Sequence, residues 1–240
     1  MHIKSREISA SILLSMLPGR LILFLVFQVL IALFARSWVI SEKYWILTAT
    51  LTNIVSIVFL YLLFKREAVN FFNIFRFKRS ELKRDILVFA GLALISVPLV
   101  FFPGYFISVL IWGDPGVPDE MMFRPIENWL VYILLVAFPL TITFAELATY
   151  FGYIMPRLRK HLKAKWMAIL LPVLFLSIQH CTLPFIPDLN FIIYRAVVFL
   201  PFALLIGVSI YYRPSLFPYF AVLHGLLDFG TVCMLLLKIT

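Results

Sequence analysis

Seven stretches of this 240-residue chain are apolar enough, and long enough, to cross a lipid bilayer: near 19–35, 44–64, 86–112, 129–155, 166–186, 196–212 and 216–237. A helical span needs about 20 mostly apolar residues. The runs are continuous rather than alternating, so helices are expected and barrel strands are not. Composition agrees, because 63% of residues are hydrophobic and only 14% are charged, against about half and a quarter in globular domains. A soluble fold of this size could not hide that apolar surface. The expected fold is therefore all-α, a polytopic transmembrane bundle of about seven helices, six to eight at the limits. Three runs stand apart. The first is short, and residues 8–17 before it read as an interfacial segment; Lys4 and Arg6 precede it, but no small-residue cleavage site of a signal peptide follows. The third carries Pro98 and Pro103-Gly104, which predict a kink or a break. The sixth is only just long enough.

The net charge of +9 would suggest nucleic acid in a soluble protein. Here the charges fall in short connections, so they read as topology signals and nucleic acid is not an expected partner. Residues 65–85 hold seven Lys and Arg and 157–165 hold five; with Lys4, Arg6, Arg20 and Arg213, sixteen share one side if there are seven spans. Arg36, Lys43, Arg124, Arg195 and Lys238 make five on the other. The richer side is expected in the cytoplasm, with the amino terminus inside and the carboxyl terminus outside. The outer loop 113–128 is acidic. Cys181 and Cys233 lie in apolar runs and read as packing residues. Nothing repeats and no linker interrupts, so the chain is read as one membrane domain, with amino-terminal helices and loops over 1–128 and a helical core over 129–237.

Ionisable groups at membrane depth cost at least a few kcal/mol, so they usually have a task. Four stand out: Glu146 on the fourth run, His180 on the fifth, and His224 and Asp228 on the seventh. At about 1.5 Å per residue, Glu146 lies about 15 Å from the basic side, His224 about 12 Å and His180 about 21 Å. All fall inside a core about 30 Å thick. His224 and Asp228 share a face at i,i+4, with Thr231 beyond them; Thr143, Tyr150 and Tyr153 extend the Glu146 face, and Ser177 the His180 face. Such stripes point into a bundle. Their plainest role is inter-helix hydrogen bonding; their joint depth favours a site.

The local sequences around them form three motifs. The first is Glu146-Leu147-Ala148-Thr149-Tyr150-Phe151-Gly152, followed by Tyr153-Ile154-Met155-Pro156-Arg157-Leu158. The second is Leu176-Ser177-Ile178-Gln179-His180, and the third His224-Gly225-Leu226-Leu227-Asp228. In order and spacing, over 129–237, they resemble the CAAX-protease and bacteriocin-processing (CPBP, or Abi) intramembrane proteases, which include the type II CAAX prenyl endopeptidases. The family patterns are Glu-Glu-x-x-x-Arg, Phe-x-x-x-His and His-x-x-x-Asn or Asp. This chain departs at Leu147, where the family has the second Glu, and at Phe151, where it has Arg. Losing both members of an i,i+4 ion pair leaves no orphan charge, so the fold can persist while activity is put in question.

The resemblance implies hydrolysis of a peptide bond in a membrane-embedded or lipid-anchored protein. Glu146 would act as general base on a water that His180 helps to position, and His224 would stabilise the oxyanion. Asp228 cannot donate a hydrogen bond when ionised; it is read as orienting His224, as a protonated donor, or as a metal ligand. Glu146, His180, His224 and Asp228 would also make a zinc-type set, and the family has been described as both glutamic and metallo; no cofactor is the favoured expectation, with zinc the alternative. Cys181 follows His180 and points about 100° away on a helix, so it is not read as a nucleophile. The competing readings are a non-catalytic relative that binds a membrane partner, as a scaffold or immunity protein, and a small ion or proton-coupled transporter. Membrane lipids are partners in every case, and a bacterial plasma membrane is the expected location.

Overall fold

The computed structural model describes residues 8–238. Among them no strand occurs, and helices follow one another closely. In chain order these are α1 (Ala10–Met16), α2 (Gly19–Ala35), α3 (Trp38–Lys43), α4 (Trp45–Arg66), α5 (Leu82–Trp112), α6 (Val117–Met122), α7 (Asn128–Leu147), α8 (Met155–His161), α9 (Met167–Ile178), α10 (Leu189–Val197), α11 (Leu200–Tyr212) and α12 (Phe217–Leu236). Six stretches are long and apolar enough to cross a membrane: Ala10–Ala35, Trp45–Arg66, Leu82–Trp112, Asn128–His161, Leu189–Tyr212 and Pro214–Leu236. A seventh, Met167–Thr182, is apolar but shorter. The protein is an integral membrane helix bundle.

Differences from the sequence reading are local. The run with Pro98 and Pro103 is one unbroken 31-residue helix, α5, about 46 Å long. Each proline removes one hydrogen bond, and a lipid-facing helix retains all its others because nothing in hydrocarbon competes for them. The fifth run is not a full span: α9 gives way to a 3₁₀ turn, Gln179–Thr182, so His180 stands at a helix end rather than mid-helix. The segment 8–17 contains α1, whose Leu13 is fully buried along with Leu17.

Polar and apolar layers alternate along the helices in one shared order. One apolar cluster contains Leu17, Leu60, Phe64, Leu147, Phe151, Leu176 and Phe220. A second contains Phe24, Ile46, Ala49, Phe138, Ile142, Leu183 and Val232. On each of α2, α4, α7 and α12, and on the segment running from α9 through its 3₁₀ turn, the polar residues fall in sequence between members of the two clusters: Arg20, Asn53 and Ser56, Glu146, Gln179 and His180, His224 and Asp228. Lipid tails are as apolar as these side chains, so the two clusters hold the helices by close van der Waals packing, and hydrogen bonds hold the layer between them. Leu147 and Phe151, the two departures from the family motif, are 1% exposed and belong to the first cluster, so apolar packing stands where a pair of charges would otherwise need compensation.

Ion pairs group the connections by end. Glu67 accepts from Arg157 and from Tyr153 Oη at 2.7 Å, and Asp85 accepts from Arg213 Nε at 2.5 Å and Ser215 Oγ at 2.9 Å. The segments 65–85, 157–165 and 213–215 therefore share one end. At the other, Arg124 pairs with Glu42 at 2.7 Å, and Tyr44 Oη donates to Glu127. Two of the charges counted as loop signals belong to neither end: Arg20 and Arg195 are 2% and 5% exposed. Among the described residues, thirteen then stand against four, so the asymmetry persists.

The closest helix approach is α12 against α7. A Cβ on Gly225 would lie 2.1 Å from Thr143 Oγ1 and 3.1 Å from the Pro139 carbonyl oxygen, while Thr143 Oγ1 donates to that carbonyl at 2.7 Å. Gly225→Ala should destabilise the bundle by about 1–3 kcal/mol through overpacking, and adding Thr143→Ala should restore part of it, measured as thermal midpoints of purified protein. Burial alone would raise the Glu67 pKa, but hydrogen bonds from Arg157 and Tyr153 and the Arg157 charge outweigh it and hold the carboxyl below its usual range. A depressed folded-state pKa stabilises above the unfolded value, and that stability is lost as pH falls through the folded one. The thermal midpoint should therefore drop on acidification below about pH 4.3, and Glu67→Gln should lower the midpoint at neutral pH and flatten this acid limb.

Candidate functional site

Glu146 is next to last in α7, and the chain then widens into a π-helical stretch, Ala148–Ile154. Such stretches are uncommon and often accompany functional sites. Glu146 is 2% exposed. Gln179 Nε2 donates to its Oε2 at 2.8 Å, and Arg20 Nη2 lies 3.5 Å from the same oxygen. Its other oxygen, Oε1, lies 3.0 Å from His224 Nε2. His224 Nε2 is also 3.4 Å from Asp228 Oδ2, one turn along α12. Three of the four expected residues therefore form a chain of contacts across α7 and α12.

His180 follows Gln179, whose amide holds Glu146, so the 3₁₀ turn carries it at the edge of this cluster. Its Nδ1 is 2.8 Å from the Leu176 carbonyl oxygen. A carbonyl only accepts, so Nδ1 carries the proton and Nε2 keeps its lone pair. The ring lies on Phe199 with centroids 4.1 Å apart. Arg195 fixes the turn from below, donating from Nε to the His180 carbonyl at 3.3 Å and from Nη2 to that of Leu183 at 2.6 Å. The loop beyond is clipped by Gln28, which donates to the Phe185 carbonyl at 2.9 Å and accepts from its N–H at 2.7 Å.

Arg20 was counted with the loop charges, and the structure places it at the heart of this layer. Its guanidinium donates from Nε to Gln179 Oε1 (3.1 Å), from Nη1 to Ser56 Oγ (3.1 Å) and from Nη2 to Asn53 Oδ1 (2.9 Å), besides its approach to Glu146. Gln179 Oε1 also receives the Tyr150 hydroxyl at 3.1 Å. This orients the amide so that its Nε2 faces Glu146. Arg20, Asn53, Ser56 and Gln179 were all missed. A search restricted to ionisable groups deep in a run overlooks amides and hydroxyls, and Arg20 stands too near the start of its run to look submerged. Of the residues placed on these faces, Tyr153 turns instead to Glu67, Ser177 to the Ala196 carbonyl and Thr231 to that of Leu227.

Three buried atoms of the cluster have no hydrogen-bond partner among the described residues: Glu146 Oε1, His224 Nδ1 and Asp228 Oδ2. Buried polar atoms of this kind ordinarily meet a water or a ligand. Among the described residues no three His, Cys, Asp or Glu side chains gather as ligands, and Glu146 Oε2 already takes a guanidinium and an amide. Comparison with family models, with curated proteins and with solved structures returns no match.

The Arg20–Glu146 contact gives a double-mutant test. Arg20→Met should destabilise the bundle by about 3–5 kcal/mol, because it strands a buried carboxylate. Combining it with Glu146→Gln should cost much less than the sum, read from thermal midpoints of the four purified proteins.

Proposed function

We propose that the protein is an intramembrane endopeptidase of the CPBP type, hydrolysing a peptide bond in a membrane-embedded or lipid-anchored protein. The observation that carries this reading is Glu146 Oε1, which accepts no hydrogen bond and lies 3.0 Å from an imidazole of α12, while the residue after its amide partner Gln179 is a second histidine. A carboxylate oxygen with an unused lone pair is what a general base offers to a water. Gln179 and Arg20 occupy the opposite oxygen and fix the carboxylate's orientation. His180, with Nδ1 bound to a backbone carbonyl, presents Nε2 as an acceptor that positions the water. His224 donates to the developing oxyanion. Asp228, 3.4 Å from His224 Nε2, orients that ring.

The distribution of Lys and Arg supports a cytoplasmic placement of the end bearing 65–85 and 157–165, with the amino terminus inside; a bacterial plasma membrane is the proposed setting. One observation favours a second reading. Glu146 is engaged by Arg20 and Gln179 and is almost fully enclosed, as in a bundle whose polar layer serves cohesion; the protein would then bind a membrane partner without cleaving it.

Glu146→Gln separates the two. Cleavage of a library of membrane-anchored peptides by the purified, folded variant should fall by at least about 10²-fold, and His180→Ala should reduce it as well. Intact biological output from a folded Glu146→Gln protein, with no cleavage by the parent, would establish the binding role instead.

A further inference from the structure

The basic end of the bundle holds a cavity of ≈ 670 Å³ that Glu146 does not line. Five cations surround it: Arg76 and Lys78 after α4, Arg159 and Lys160 on α8, and Lys165 before α9. No carboxylate contributes to the lining among the described residues. Acids nearby are committed elsewhere, Glu67 to Arg157 and Asp85 to Arg213. Lys78 meets Glu81 only at 3.8 Å on the exposed surface. Arg159 and Lys165 hold backbone carbonyls, of Tyr211 at 3.3 Å and of Arg159 at 2.6 Å. Arg76 and Lys160 have no side-chain hydrogen bond or ion pair among the described residues. Like charges gathered without counter-charge repel, and an anion between them relieves that repulsion.

Asn73, Tyr211 and Ser215 apart, the rest of the wall is apolar, with Ile74, Pro156 and Pro214 its accessible part. Phe217 opens the 20-residue α12, whose start adds partial positive charge. A small soluble anion has no use for such walls. An amphiphile with a phosphate at one end and hydrocarbon at the other uses both, and basic pockets between membrane helices bind lipid head groups by this combination.

We propose that this cavity binds the phosphate head of an anionic phospholipid, with the upper part of an acyl chain along Ile74, Pro156 and Pro214. The site is separate from Glu146 and is independent of whether the protein cleaves peptides.

The test uses the full chain in mixed micelles of phosphatidylglycerol and phosphatidylcholine, with retained lipid measured by native mass spectrometry. Phosphatidylglycerol should be retained preferentially, and the preference of the unaltered protein should weaken as salt rises. Arg76→Gln with Lys160→Gln should weaken phosphatidylglycerol binding by about thirtyfold, near fivefold per cation. Lys83→Gln with Arg84→Gln removes the same charge from the same end outside the cavity and should change binding less than about twofold. Equal retention of the two lipids, a preference insensitive to salt, or equal losses in the two double variants would overturn the proposal. So would inorganic phosphate that displaces the lipid at equal concentration, since that would mark a site for a soluble anion. The salt titration needs no variant, so misfolding of one leaves the test intact.

Discussion

A carboxylate buried in a membrane bundle must have its charge answered from within the protein, and here the answer comes from Arg20. Three helices and a 3₁₀ turn meet through that guanidinium and the Gln179 amide: α2 brings the charge, α4 brings Asn53 and Ser56, α7 brings Glu146, and the turn after α9 brings Gln179. The packing around the layer follows from it. Apolar clusters lie on both sides, and each helix supplies its polar residue at the matching level. A shift of any one helix by a turn would separate charges that cannot be left unpaired in hydrocarbon. The layer therefore fixes helix register as well as charge balance.

The same layer leaves one side of Glu146 open to chemistry. Oε2 is held by two donors, while Oε1 faces His224 without a hydrogen bond. The π-helical stretch follows immediately and carries Tyr150 to Gln179. Both histidines are fixed by their surroundings, His224 between two carboxylates and His180 between a backbone carbonyl and Phe199. A site and a structural brace are thus built from one set of contacts, with the brace on one oxygen and the site on the other.

At the basic end the logic differs. Glu67 and Asp85 pair with single arginines and hold loops to helix ends, whereas Arg76 and Lys160 at the cavity have no side-chain hydrogen bond or ion pair among the described residues. The Lys and Arg excess at this end consequently does two separate jobs: part of it closes the bundle, and part of it is available to something outside the chain.

Some of this was legible in the residues alone. Run length and continuity fix the all-α membrane class, because only helices and closed barrels satisfy their backbone hydrogen bonds in lipid and these runs lack the alternation of barrel strands. Depth along the runs brought Glu146, His224 and Asp228 to one level, since rise per residue is constant. The spacing of α12 placed His224 beside Asp228. Tertiary structure decided the rest. Arg20 and Arg195 read as loop charges because burial is a property of neighbours, not of position in a run. Gln179 and Asn53 carry no charge and so gave no signal of depth, and their value lies only in the partners that other helices bring. The end of α9 at His180 depends on how its 3₁₀ turn is gripped by α2 and Arg195. Apolar length specifies that helices cross; which polar atoms meet inside is settled only when those helices pack, because each contact needs two distant segments at once.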